Sequence, residues 1–388
     1  MSGAWYNIRI VMKSFSTAPT RRILDGLKRP DTKLKIIHIA GTNGKGSTAE
    51  FFTQILISAN KKVGTFTSPE VYSFYDQFRI DGVPLDEETF NKYRQMVLPF
   101  VEGASEFEIQ TATAILCFAE EGCEYAVIEC GMGGLNDATN AVENKALAVI
   151  TSVSLEHTAF LGKTVKEICV QKSGIIKNCP VIVNAHQSAE AREFFRGCKF
   201  ADDVDEVFDG GFIYGGKKFE LNAEGCCQHL NAACAIEGAK ILGIDDGAVY
   251  KGVADCRPRG RLEKFYLNGR EYILDGAHNP AAFEPLKEYL CSRGCKRTVI
   301  FGCLNDKDID GNLKNLIADE IIAVPCDSPR SRALEDIYSH CVKQFGKKRV
   351  KRADGVADAL SMADGGIIAV CGSFTLLKEA KNWIEKRI

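Results

Sequence analysis

Several features that would assign a chain to a special class are missing from this sequence. No stretch of its 388 residues stays apolar for the roughly 20 positions that a bilayer-spanning helix requires, so no membrane partner is expected. The opening residues, Met1-Ser2-Gly3-Ala4-Trp5-Tyr6-Asn7, have neither the basic region nor the apolar run of a secretory signal, and a cytoplasmic protein is expected. A dominant charge is lacking too. Lys and Arg number 49 against 51 Asp and Glu, and the net charge of −2 sets up no field to gather nucleic acid, so no nucleic-acid partner is expected. The one basic run, residues 343–352 with Lys347-Lys348-Arg349, reads as a solvated helix end. Cysteines are plentiful at 16, yet none stands in a Cys-x-x-Cys spacing. The adjacent pair Cys226-Cys227 and the Cys291-x-x-x-Cys295 spacing fit neither a zinc knuckle nor a redox motif, which leaves small buried hydrophobes in a reducing compartment. Internal repeats and low-complexity tracts are also missing.

What is present is an ordinary globular composition, 45% hydrophobic and 26% charged, on a chain long enough for two or three domains. Residues 35–40 form a short apolar run ending at glycine, and Phe51, Phe52, Ile55 and Leu56 then fall on one helical face, giving strand, loop and helix. Further strands are predicted at 63–67, 125–130, 146–151 and 181–184, separated by helical stretches at 87–97, 109–121 and 188–195. Such alternation specifies a parallel sheet wrapped by helices. Two short runs between 207 and 221, around Gly215-Gly216, predict a hairpin. After Arg257-Pro258-Arg259-Gly260 the alternation restarts, with strands at 271–274, 298–301, 321–324, 349–351 and 367–370. Helices are predicted between and after them at 281–292, 313–317, 333–345, 356–362 and 375–386. The spacing therefore predicts two α/β domains, residues 1–258 and 259–388, the second doubly wound.

Gly41-Thr42-Asn43-Gly44-Lys45-Gly46-Ser47 follows a strand and opens a helix, the context that a phosphate loop requires. Its glycines let backbone N–H groups turn toward phosphate oxygens, the helix N-terminus adds partial positive charge, and Lys45 neutralises the terminal phosphates, so ATP is the expected ligand. The loop departs from G-x-x-x-x-G-K-[ST]: Gly46 stands where the hydroxyl residue should be, and Ser47 supplies it one place later.

That departure resembles the phosphate loop of the Mur ligase superfamily, in its folylpolyglutamate synthase/dihydrofolate synthase branch. The resemblance recurs in order through Thr67-Ser68-Pro69, Phe107-Glu108, Glu129-Cys130-Gly131-Met132-Gly133-Gly134, Asp137-Ala138-Thr139-Asn140 and Ser154-Leu155-Glu156-His157-Thr158. It continues through Lys172-Ser173-Gly174-Ile175, Gly260-Arg261-Leu262-Glu263 and Asp275-Gly276-Ala277-His278-Asn279-Pro280. It implies a P-loop NTPase-like Mur ligase central domain followed by a smaller Rossmann-like α/β domain, the two closing on ATP.

By the same resemblance, Asn43, Gly44, Lys45, Gly46, Ser47, Asn231, Arg261, Asp275 and His278 would bind ATP, with Lys45, His157 and Lys172 catalytic. Ser68, Glu129 and His157 would hold Mg²⁺; Glu129 ends an apolar run, which puts its carboxylate at the carboxyl edge of a parallel sheet. Each has a plainer reading beside it: Glu129 and His157 as hydrogen-bonded structural groups, Ser68 as a turn residue before Pro69, Asn231 as a helix cap. The lysine matching Lys172 is carboxylated by CO₂ in this family, a modification that needs the neutral amine; the sequence alone reads as a lysine near a loop, with a surface salt bridge as the ordinary case. Ser105, Phe107, Glu108, Asn136, Asp137 and Ala138 match segments lining the pterin site, or else form a helix start with Phe107 in the core. The implied partners are ATP, L-glutamate and dihydropteroate or reduced folates; a monomer is the default expectation.

Some positions depart from the family pattern. Glu70 and Tyr75-Asp76-Gln77-Phe78 replace a histidine and an Asn-Glu-Arg-Ile stretch, Leu135 replaces the arginine of Gly-Gly-Arg, and Gln171 replaces a glutamate. These changes leave the phosphate chemistry intact and touch the acceptor side. Two alternatives therefore stand beside the folate ligase: a Mur-type ligase for a different carboxylate, and a non-catalytic nucleotide-binding protein.

Overall fold

The computed structural model describes residues 16–388, which fall into two compact units, Thr17–Glu263 and Lys264–Ile388. The first is built on eight strands: β1 (Lys35–Ala40), β2 (Val63–Phe66), β3 (Phe78–Ile80), β4 (Val83–Pro84), β5 (Tyr125–Glu129), β6 (Lys145–Ile150), β7 (Val181–Val183) and β8 (Lys199–Phe200). Their order in the sheet is β4-β3-β2-β5-β1-β6-β7-β8. Strands β2, β5, β1, β6, β7 and β8 are parallel, while β3 and β4 add an antiparallel edge. Both outermost strands, β4 and β8, are only two residues long.

Around this sheet lie α1 (Ala18–Gly26), α2 (Lys45–Ser58), α3 (Glu87–Val97), α4 (Glu106–Glu120), α5 (Thr158–Leu161), α6 (Val165–Ser173), α7 (Ala189–Phe194), α8 (Gln228–Ile241) and α9 (Asp246–Asp255). Strand periodicity divides the core between them. Ile37 and Ile39 of β1 join Phe51, Phe52 and Ile55 of α2 and the α8 and α9 residues Ile236 and Val253 on one face. Ile36 joins Leu24 of α1, Phe90 of α3 and Ile115 and Phe118 of α4 on the other. A separate three-stranded antiparallel sheet of β9 (Glu206–Phe208), β10 (Gly211–Tyr214) and β11 (Lys217–Glu220) contains the predicted hairpin, turning at Gly215-Gly216 with positive φ at both.

The second unit carries β12 (Glu263–Leu267), β13 (Arg270–Leu274), β14 (Arg297–Phe301), β15 (Glu320–Ala323), β16 (Val350–Arg352) and β17 (Ile367–Cys371), in the order β12-β13-β17-β14-β15-β16. From β13 to β16 the neighbours are parallel. Its helices are α10 (Phe283–Cys291), α11 (Ile309–Lys314), α12 (Leu334–Phe345), α13 (Val356–Met362) and α14 (Leu377–Glu385). Both units are thus α/β, and the second is the doubly wound sheet expected. Helix α11 starts four residues before the expected 313–317, because the Asp308 carboxylate accepts from Gly311 N at 2.9 Å and caps it there. No helix among the described residues is long and apolar enough to cross a membrane.

Helix α8 can lie close to α2 because Gly238 has no side chain: a Cβ there would stand 2.5 Å from the Phe52 ring and 2.7 Å from Leu147 Cδ2. Gly238→Val is expected to lower stability by about 1–3 kcal/mol through overpacking, read as a fall in the thermal midpoint; an unchanged midpoint would contradict this close packing.

Candidate active site

The Gly41–Ser47 turn leaves β1 between β5 and β6, so the carboxyl ends of three parallel strands meet beside it. The turn is tied to the segment after β6. Thr42 N donates to Ser152 O at 2.7 Å, Thr42 Oγ1 donates to Ser154 O at 3.1 Å and accepts from Ser154 N at 3.1 Å, and Ser152 Oγ donates to Asn43 O at 3.2 Å. Close approach explains the first glycine, since a Cβ on Gly41 would overlap Thr151 Oγ1 at 1.7 Å. Gly44, at φ +88°, is the left-handed residue before α2, and a Cβ there would lie 2.5 Å from Asn231 Oδ1.

Lys45 opens α2 with its Nζ donating to Thr42 O at 3.1 Å and 3.9 Å from Glu129 Oε1. Glu129, the last residue of β5, is buried and accepts from Ser68 N at 3.3 Å. A Cβ on Gly46 would stand 3.5 Å from Glu129 Oε2, so the glycine in the hydroxyl position faces this carboxylate. Burial pushes the Glu129 carboxyl above its ordinary range, against the pull of Lys45, the Ser68 N–H and Arg261. Ser47 Oγ accepts from Gln228 Nε2 at 3.4 Å, and Asn231 Nδ2, one turn further along α8, donates to Gln228 Oε1 at 3.2 Å. Asn231 therefore lies inside its helix against the phosphate loop and is not a cap, because α8 starts at Gln228 after Cys227.

Lys172 departs most from its plain reading. It sits in the last turn of α6, 1% exposed, with Nζ donating to Gly41 O at 2.5 Å, so no surface salt bridge forms. Burial first, and then the charge of Lys45, bring its ammonium down to about 7. His157, at φ +48°, precedes the short helix α5, and its Nε2 lies 3.7 Å from Glu156 Oε1. Among the described residues, no group of three or more His, Cys, Asp or Glu side chains is placed to hold a metal. One carboxylate at the sheet edge beside a phosphate loop is nonetheless the donor set that suits Mg²⁺, which takes one or two carboxylates and fills its remaining positions with water and substrate phosphate.

The acceptor-side residues separate. Ser105 and Glu108 form a capping box on α4, with Ser105 N donating to Glu108 Oε2 at 2.5 Å, so both side chains are committed to the helix start. Phe107 lies 5.8 Å from the Phe66 ring and against Gly131, where a Cβ would meet its ring at 2.6 Å. Asn136 is exposed, whereas Asp137 and Ala138 are buried. The Asp137 carboxylate accepts from Met132 N at 2.8 Å and Thr139 N at 3.0 Å, fixing the turn after Glu129. Beneath it, buried His38 Nε2 meets Thr139 Oγ1 at 2.8 Å and Cys130 Sγ at 3.1 Å; burial, and then the charge of Lys145, push the imidazole well below its ordinary range. The altered loop after the cis Ser68-Pro69 bond is also tied down. Tyr72 Oη donates to Glu263, Gly260 N donates to Glu263 Oε2 at 2.9 Å, and Arg259 Nη1 lies 3.3 Å from Asp76 Oδ1. This places the Gly260–Glu263 motif, with Arg261, against the loop.

In the other unit, Asp275 follows β13 and accepts from Ala277 N at 2.8 Å. His278 Nδ1 meets Gly276 O at 2.8 Å, and its ring centroid is 6.0 Å from that of Phe374.

Residues 39–199 match the Mur ligase middle domain, and residues 260–374 match the Mur ligase glutamate ligase domain. The dihydrofolate synthase/folylpolyglutamate synthase of Bacillus subtilis is 34% identical, with 94% of each chain covered. This chain belongs to that branch of the Mur ligase family. Among solved members, the folylpolyglutamate synthase of Mycobacterium tuberculosis complexed with ADP and AMPPCP matches with TM-score 0.87 at 27% identity, covering 95% of each chain. Escherichia coli FolC in complex with DHPP and ADP matches with TM-score 0.86 at 26% identity, covering 98% of this chain and 96% of that one.

Sequence reading passed over Thr42, Gln228 and the His38–Thr139 pair that meets Asp137 in this family member. For Gln228 a signal existed, since it stands three residues before Asn231 and shares its helical face. For Thr42 and His38 none did, because their partners are more than 100 residues away in sequence.

The Lys172 ammonium supplies a pH test. Between about 7 and its ordinary 10.5 the unfolded chain holds one more proton here than the folded chain, so stability rises with pH in that window. Below 7 both states are charged and the full penalty of burial is present. Chemical denaturation in CO₂-free buffer from pH 7 to 9 is expected to show a Lys172→Met variant lacking a rise of up to about 1.4 kcal/mol per pH unit that the parent chain has. Identical slopes would mean that the amine is not buried as a neutral group.

Proposed function

We propose that the chain uses ATP to join L-glutamate to dihydropteroate, to (poly)glutamated folates, or to both, through an acyl phosphate. The observation that carries this reading is the Gly41–Ser47 turn with Lys45 3.9 Å from the buried Glu129 carboxylate, at the carboxyl edge of a parallel sheet. Amide formation from a carboxylate needs a better leaving group than oxide, and phosphoryl transfer provides it. Backbone N–H groups of Asn43 to Ser47 and the Lys45 ammonium hold the phosphates, with Gln228 and Asn231 bracing the turn. Arg261, Asp275 and His278 are further nucleotide contacts by family resemblance. Glu129, Ser68 and His157 would hold Mg²⁺, which would spread the charge on the phosphate oxygens. The amino group of L-glutamate attacks the acyl phosphate, and the tetrahedral adduct collapses to amide and inorganic phosphate.

Lys172, near neutrality and beside the loop carbonyl, is poised for carboxylation by CO₂, which would turn a buried cation into an anion near the metal donors. Phe107 and the Met132–Asp137 turn border the acceptor position, with Ser105, Glu108, Asn136 and Ala138 as its framework. Residues 1–258 would carry nucleotide and acceptor, and 259–388 the second nucleotide face, in a cytoplasmic monomer. A ligase for a different carboxylate is favoured by one observation, the Glu70 carboxylate standing 3.5 Å from Gln77 Nε2 in the altered loop.

Phosphate release with Mg·ATP and L-glutamate is expected with dihydropteroate or, separately, with reduced folates; activity on neither would reject the folate assignment in favour of the other carboxylate. Lys45→Ala and Glu129→Gln should each lower turnover on the active acceptor by about 10²–10³-fold or more, and an undiminished rate in Lys45→Ala would remove the loop from the chemistry.

A further inference from the structure

A parallel strand covered on both faces is ordinarily a continuous apolar run. Over its buried residues 36–40, β1 breaks that pattern once, at His38, which lies between Ile37 and Ile39 and pairs with Ile128 of β5 and Ala148 of β6. The phosphate loop begins just beyond it, at Gly41. His38 Nδ1 has no hydrogen-bond partner among the described residues, an interior cost that an aliphatic side chain would not carry. The bonding is all on the other nitrogen.

With its proton affinity lowered by burial and by Lys145, the ring carries a single proton near neutrality. Thr139 fixes where that proton sits. Thr139 Oγ1 donates to Asp137 Oδ1 at 2.5 Å, so it turns a lone pair toward His38, and Nε2, at 2.8 Å, is the nitrogen that donates. Asp137 Oδ1 also accepts from Thr139 N, and its Oδ2 from Met132 N at 2.8 Å. Gly131, next to Met132, lies against the Phe107 ring. A directed chain of three side chains thus joins the strand that feeds the phosphate loop to the turn and ring that border the acceptor position. His38 and Thr139 are both without solvent exposure and touch no reacting group. We infer that His38 and Thr139 are positioning residues, which act through Asp137 to set the turn bordering the acceptor, an inference that rests on the acceptor reading given above.

Thr139→Val removes the hydroxyl at nearly constant shape, and Thr139→Ser keeps it. Thr139→Val and His38→Phe are each expected to raise the KM for the active acceptor about tenfold, the effect of losing one hydrogen bond in a chain that ends on a carboxylate. The KM for ATP should not change, and Thr139→Ser should match the parent chain. The two changes combined should be no worse than either alone, because each breaks the same chain. A lowered thermal midpoint with an unchanged acceptor KM, an equal rise in both KM values, or a Thr139→Ser variant as impaired as Thr139→Val would overturn the inference. Amide hydrogen exchange in the ligand-free chain needs no turnover: Met132 N–H should exchange about tenfold faster in Thr139→Val and at the parent rate in Thr139→Ser. If the parent chain turns over neither dihydropteroate nor reduced folates, the folate assignment fails, and this exchange then decides the chain by itself, with a Met132 rate indifferent to Thr139→Val overturning it.

Discussion

Lys172 Nζ donates to the Gly41 carbonyl at 2.5 Å from a position almost without solvent, and the surrounding charges are arranged around that contact. Two lysines converge on one turn: Lys45 on its outer side, reaching Thr42 O, and Lys172 beneath it. Opposite them stands a buried carboxylate, Glu129, that burial pushes toward protonation while Lys45, Arg261 and Arg79 pull it back. An isolated carboxylate would be costly here, and Glu129 is held by Lys45 at 3.9 Å, while Lys172 rests on the Gly41 carbonyl. The turn cannot relax away from them. Gly41 abuts Thr151, Thr42 is hydrogen-bonded to Ser152 and Ser154, and Gly44 lies against Asn231. The geometry that receives phosphate is thus set in advance by main-chain and small polar contacts drawn from the β6 end and from α8.

The sequence made the strands, the phosphate loop and the two α/β units readable because their signals are local: apolar runs of fixed period, glycine where φ turns positive, and lysine after glycine. Long-range burial was not readable. Lys172 looks like a loop lysine until α6 packs it under Gly41, and Asn231 looks like a cap until α8 places it against Gly44. Ser105 and Glu108 illustrate the opposite case, since their spacing is a capping box and the structure uses both for that bond. The antiparallel edge β3–β4 went unread because strands of two or three residues carry too few positions for a period to register.

Three positions at which the chain departs from its family become physically intelligible in the fold. Asp76 accepts from Tyr72 N and Ser73 N and meets Arg259, while Tyr72 is bonded to Glu263, whose charge and the burial of the phenol raise its proton affinity. The altered loop is therefore a fixed wall and not a frayed one. Gln171 precedes Lys172 with its backbone carbonyl accepting from Leu135 N at 2.7 Å, so the two substituted positions, 135 and 171, are paired through the main chain.

The outermost strands of the large sheet have a meaning for the chain among its neighbours in a crowded solution. β4 is two residues long and ends in Pro84, and β8 is likewise two residues long. Proline offers no N–H, and a two-residue margin gives a visiting strand almost no ladder to extend. A mostly parallel sheet must assemble contacts far apart in sequence, which leaves its partly formed state exposed for longer than a local fold would be. Blunt margins are what stop that state from recruiting a second copy into a fibrillar stack.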